Sequence, residues 1–124
     1  MGFQDDWILR QIDIISRFVA HLVFNRDEVT YQPESSEMLS ETDLIHLRLD
    51  RLVREGKFGE AEDLLFDNMI FSDKYIELAV DFYGRLNSLS DKELEQGDFS
   101  RDEVLDGFVE ILTRLGVPVE QFLQ

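Results

Sequence analysis

The chain has no cysteine, only two prolines and two histidines, and few cations: 12 Lys and Arg stand against 27 Asp and Glu in 124 residues, a formal charge of −15. Without cysteine there are no disulfides, thiolate nucleophiles, sulfur-ligated zinc sites or iron–sulfur clusters. With so few cations there is no basic face to neutralise phosphates, so direct nucleic-acid binding is excluded and an anionic membrane is an equally poor partner. A long uninterrupted apolar run is also missing. Asp5 and Asp6 stand where a secretory signal would carry cations, and Arg10, Asp13 and Arg17 break the apolar stretch that follows. Neither a signal peptide nor a membrane span fits, and a cytoplasmic protein is expected. Gly2 does not open a myristoylation motif, because Asp6 occupies the place of the required Ser or Thr.

What is present is material for one core. A hydrophobic content of 44%, with 10 Phe and 3 Tyr, is too high for a disordered acidic chain and sufficient for a single domain over 1–124. Residues 7–24 hold twelve apolar side chains in eighteen, with Arg10, Asp13, Arg17 and His21 as one narrow polar stripe. That pattern predicts a helix, with Gln4, Asp5 and Asp6 at its positive end. Helical period is then lost over about 25–40, where Pro33, Ser35, Ser36 and Ser40 accumulate, and a long polar loop is expected.

Ser40 with Asp43 marks the next helix start, followed by a stripe of Ile45, Leu49, Leu52 and Val53 that Gly56 ends. A short helix is expected over 58–69. Ser72 caps a third, in which Tyr75, Leu78, Ala79, Phe82, Leu86 and Leu89 form the inner face and Lys74, Glu77, Asp81 and Arg85 the outer one. Ser90 with Glu93 and Ser100 with Glu103 mark two further capping boxes. The last helix, with Val104, Leu105, Phe108, Ile111, Leu112 and Leu115 inward, stops at Gly116 and Pro118. No segment alternates with period two. The expected fold is all-α, an antiparallel bundle of five or six helices.

Leu49, Leu52, Gly56, Phe58, Ala61 and Leu65 fall at the intervals of a helix pair that resembles a tetratricopeptide repeat. Gly56 would allow the tight turn, Phe58 would wedge between the helices, and Ala61 would let them approach. An ordinary helical hairpin has the same pattern, and one 34-residue period later Ser90 stands in place of Gly56 and Glu95 in place of Ala61, so the repeat is not renewed. Over its whole length the chain also resembles a group of short uncharacterised proteins of Gram-positive bacteria of the Firmicutes type. The resemblance is carried by Asp6-Trp7-Ile8-Leu9-Arg10-Gln11, by Gly56-Lys57 through Glu60-Ala61-Glu62-Asp63-Leu64-Leu65, and by Asp81-Phe82-Tyr83 through Ser90-Asp91. It implies a helical, tetratricopeptide-like domain and no particular activity.

Catalytic patterns are few. Asp91 to Asp102 approaches a calcium loop, but Gly97 is seventh where the turn needs sixth, and Asp stands twelfth where a bidentate Glu belongs. His21 and His46 lack a second ligand at helical spacing and are expected at the surface. Glu60, Asp63 and Asp67 share a helix face that is expected to be solvated. Gly84 and Gly107 interrupt good helices, so each marks either a close approach or a water-facing position. No phosphate loop, nucleophile elbow or catalytic His spacing occurs. The expected function is a protein–protein interaction module with no cofactor and no metal, not an enzyme; a carboxylate-based or divalent-metal-dependent small enzyme is the alternative. Trp7, Ile8, Ile15, Phe18, Leu22 and Phe24 cannot all face one way, so the first helix is the expected contact surface and homodimerisation through it the expected assembly. A basic protein or peptide is the expected heterologous partner.

Overall fold

Serines define four of the helix starts. The Ser40 hydroxyl accepts from the Asp43 N–H at 3.0 Å while the Asp43 carboxylate accepts from the Ser40 N–H at 3.0 Å. Ser90 and Glu93 repeat this reciprocal pair at 3.1 and 2.9 Å. Ser72 accepts from the Tyr75 N–H at 3.1 Å. At Ser100 the expected box is half made: its hydroxyl accepts from the Glu103 N–H but donates to the Glu103 carboxylate, which therefore does not take the backbone N–H.

The computed structural model describes residues 3–35 and 37–122. Among them are six α-helices and no strand: α1 Phe3–Phe24, α2 Glu41–Arg54, α3 Phe58–Asp67, α4 Asp73–Asn87, α5 Asp91–Gln96 and α6 Arg101–Arg114, with a 3₁₀ turn at Glu120–Phe122. Gly2 and Ser36, and the side chains of Gln4 and Asp5, lie outside the described residues and atoms. The all-α bundle is as expected, with α1 starting four residues early and α3 ending two residues short. No described helix is long and apolar enough to cross a membrane.

Helix ends follow from backbone chemistry. Gly56 (φ 75°) and Gly116 (φ 83°) each occupy the left-handed position after a helix, and the next N–H reaches back to Leu52 at 2.8 Å or Leu112 at 2.9 Å. After α5 the left-handed residue is Asp98 (φ 56°), not the neighbouring Gly97. Gly97 is needed for space: a Cβ there would lie 2.4 Å from the Phe58 ring and 2.5 Å from the Gly56 carbonyl oxygen.

The core is centred on α4, which buries Tyr75, Leu78, Ala79, Phe82, Tyr83 and Leu86 and packs against α1, α2 and α6. Ile8, Ile12, Ile15 and Val19 reach it from α1, Leu49 from α2, Phe58, Ala61 and Leu65 from α3, and Val104, Phe108, Ile111 and Leu112 from α6. The expected wet face of α4 is a correction. Glu77 is only 7% exposed, and Lys74, Asp81 and Arg85 are half-buried. The segment 29–35 lies over Lys74, Glu77 and Asp81, and Arg85 pairs with Asp50 of α2.

Candidate functional site

The first helix divides its apolar residues by the 100° step of the helix. Ile8 and Ile15 fall on the ridge with Ile12 and Val19 and are core residues, so they are corrected out of the contact surface. Phe24 is half-buried against the core, and Phe18 packs edge-on to Phe122 with ring centroids 5.2 Å apart. Trp7 and Leu22 stand out at 44% and 53% exposure, and Ile14, not among the expected contact residues, joins them at 46%. Trp7, Ile14 and Leu22 are spaced by seven and eight residues, about two helical turns each, so they share the outer side of the helix within an arc of about 80°. That spacing was readable in the sequence.

The hairpin residues are where the pattern puts them. Leu49, Phe58, Ala61 and Leu65 are buried, Leu52 is half-buried, and Gly56 forms the turn. Phe58 also meets Phe99 edge-on at 6.0 Å, so it holds the end of α5 against the hairpin.

Within the expected loop, residues 29–35 form a strap drawn across α2 and α4. The Tyr31 N–H donates to Asp81 Oδ1 at 3.1 Å, Gln32 N–H to Glu77 Oε2 at 2.9 Å, and Glu34 N–H to Asp43 Oδ1 at 3.2 Å. Lys74 donates to the Gln32 carbonyl oxygen and, at 2.8 Å, to Glu77. Tyr31 is the strap's buried side chain: its hydroxyl donates to Asp43 at 2.6 Å, its ring stacks on His46 at 4.5 Å, and the Lys74 ammonium lies 4.6 Å from the ring centre. His46 is thus not a free surface residue, since its Nε2 also faces Asp81 at 3.5 Å. His21 lies at the surface beside Asp27 at 3.3 Å. The Tyr31 hydrogen bond and the Ser40 N–H hold the Asp43 carboxyl down at about 2. Burial and the neighbouring Asp43 push the Tyr31 phenol well above its ordinary value.

Between α3 and α6 lies an acidic hollow of about 380 Å³ lined by Glu62, Asp63, Glu103, Asp106 and Glu110. Its floor is Gly107, where a Cβ would fall 1.9 Å from Glu62 Oε2 and 2.5 Å from the Tyr83 hydroxyl. Tyr83 donates to Glu62 at 2.6 Å. Burial raises the Glu62 carboxyl, the Tyr83 hydrogen bond opposes this, and the charges of Glu103, Asp63 and Asp106 add to the rise. Glu60, Asp63 and Asp67 are exposed, as expected. Gly84, by contrast, has nothing within 4 Å of where its Cβ would be.

The near-calcium segment runs through α5 and a turn into the start of α6, with its first acid engaged. Asp91 accepts from buried Arg101 at 2.8 Å, and the same guanidinium donates to the Asn87 and Leu89 carbonyl oxygens at 2.8 Å each. Among the described residues no three His, Asp or Glu side chains come together as a set able to hold a metal ion.

No curated protein and no solved structure matches the chain. A protein-family profile, described as Family of unknown function (DUF6483), matches residues 2–116. With that match spanning nearly all of its length, the chain belongs to this family of unknown function, and its helical fold fits that membership.

Proposed function

We propose that the chain is a small acidic protein–protein interaction module, not an enzyme, which forms a homodimer through the outer edge of α1. The observation that carries this reading is the row of Trp7, Ile14 and Leu22, three large apolar side chains about half exposed on one helix edge. Large apolar side chains set in a row are normally covered, and the near-neutral α1 lets two copies approach without the repulsion that the rest of the body would impose. Light scattering at micromolar concentration tests it. The mass of two chains is expected for the wild type and of one chain for Ile14→Asp with Leu22→Asp; a wild-type monomer overturns the reading.

A basic protein or peptide is the heterologous partner this reading favours, supported by the acidic hollow between α3 and α6, where five carboxylates line one depression. Such binding weakens steeply with salt, and an affinity indifferent to ionic strength would count against it. The pairing of α2 with α3 around Gly56, Phe58 and Ala61 supports a tetratricopeptide-like hairpin as the scaffold. A cytoplasmic location and a Firmicutes source belong to the same reading, the latter resting on the resemblance set out above.

One observation favours the alternative of a carboxylate-based or metal-dependent enzyme: Glu62, with its raised carboxyl, sits beside four other acids in that hollow. Thermal melts with calcium, magnesium and manganese discriminate. A saturable stabilisation by one ion and not the others, lost in Glu62→Gln, would favour the enzyme.

A further inference from the structure

The segment 29–35 is held in the manner of a bound peptide. Three carboxylates from two helices accept three of its backbone N–H groups, one lysine donates to one of its carbonyl oxygens, and a single aromatic side chain enters the body. A connection that served only to join α1 to α2 has no need of such contacts, and its backbone groups could be satisfied by water at the surface. The side chains on either side of Tyr31 face outward: 32–35 and 37–39 are exposed, and so are 25–28, where Asp27 pairs with His21 of α1 at 3.3 Å. Apart from the ring of Tyr31 and half-buried Val29, the contact is to backbone and does not depend on which residues the segment carries.

We propose that the groove between α2 and α4 is a docking groove for an extended, tyrosine-centred basic segment of a partner protein, and that 29–35 fills it in cis until displaced. The tyrosine is specified by the pocket that Tyr31 occupies: a carboxylate at Asp43 for the hydroxyl, the His46 ring for stacking and the Lys74 ammonium at the ring. The basic flanks are specified by charge. The groove presents Asp43, Glu77 and Asp81 against Lys74 and His46, whereas the resident strap itself carries two acids, Glu28 and Glu34. A segment with lysines in place of those two acids gains attraction that the strap lacks. The strap has the advantage of tethering, equivalent to an effective concentration on the order of millimolar, so the resting groove is closed to weak competitors. This inference goes beyond dimerisation through α1: a monomeric protein that binds the segment would overturn the dimer and leave the groove standing.

The test uses a fluorescein-labelled synthetic peptide of 28–35 carrying Glu28→Lys and Glu34→Lys, titrated with the full chain and followed by anisotropy. In the Tyr31→Ala protein the ring pocket is vacated, and the peptide is expected to bind at least about 10-fold more tightly than to the wild type. Asp81→Asn combined with Glu77→Gln in the Tyr31→Ala background is expected to abolish that gain. Equal affinities for wild type and Tyr31→Ala, or no binding to a folded Tyr31→Ala protein at millimolar peptide, overturn the proposal. Should Tyr31→Ala fail to fold, hydrogen exchange of the wild type decides. Exchange of the Tyr31, Gln32 and Glu34 amides well before those of Leu78 and Phe82 supports a displaceable strap, and exchange in step with them overturns it.

Discussion

At position 107 a single methyl group is the difference between a seated carboxylate and a displaced one. Gly84 and Gly107 look alike in the sequence, each a glycine inside an amphipathic helix. Open space surrounds one, and Glu62 Oε2 occupies the Cβ position of the other. Gly84→Ala is therefore expected to stabilise by about 0.5–1 kcal/mol. Gly107→Ala gains the same propensity but must move Glu62 off the Tyr83 hydroxyl, leaving a buried donor unsatisfied at about 1–3 kcal/mol, for a net loss. Urea melts of the two variants against wild type check both signs. Glu62 itself could not be singled out from 26 other acids, because its character comes first from burial against α6, which its neighbours in the chain do not reveal. Its folded carboxyl is raised, so the stability it contributes is full below the ordinary Glu range of about 4.3 and is lost as pH rises through the raised value. Glu62→Gln keeps an acceptor for Tyr83 without the charge. It is expected to raise the Tm by a few degrees at pH 8 and by progressively less as pH falls to 4, and thermal melts across that range decide.

The elements were legible where their signals are local. Capping boxes at Ser40 and Ser90 and glycines after α2 and α6 are decided within four or five residues, and all of them formed. The strap was legible as a loop but not as a docked one, because its acceptors lie nine to fifty residues away along the chain. The same distance explains the misreading of α4: Lys74, Glu77 and Asp81 have the spacing of a solvated stripe, and the spacing is silent on whether water or the backbone groups of the strap meet them. Asp43 joins the two levels, capping α2 while holding Tyr31 and Glu34. With its carboxyl depressed to about 2, the stability it contributes is present above the ordinary Asp range of about 3.9 and is lost as pH falls through 2. Asp43→Asn is accordingly expected to lower the Tm clearly at pH 7, with the gap to wild type closing toward pH 2, as followed by circular dichroism.

At the scale of the whole molecule the charge is unevenly placed. Residues 1–24 carry three acids and two bases, whereas 25–70 and 71–124 each carry twelve and five. The breadth of apolar residues on α1, which singled that helix out in the sequence, has two causes: an inner ridge that meets α4 and α6 and an outer side left about half exposed. Composition alone cannot separate these, since the separation is made by which helix becomes central. Association through a near-neutral apolar edge is expected to persist at high salt, unlike capture of a basic partner by the acidic hollow, and sedimentation at low and high ionic strength distinguishes them. The chain's one tryptophan stands on that edge. Its indole is therefore a built-in optical probe: covering it shifts its emission to shorter wavelength, so a dilution series read in a fluorimeter would trace the assembly equilibrium without any label.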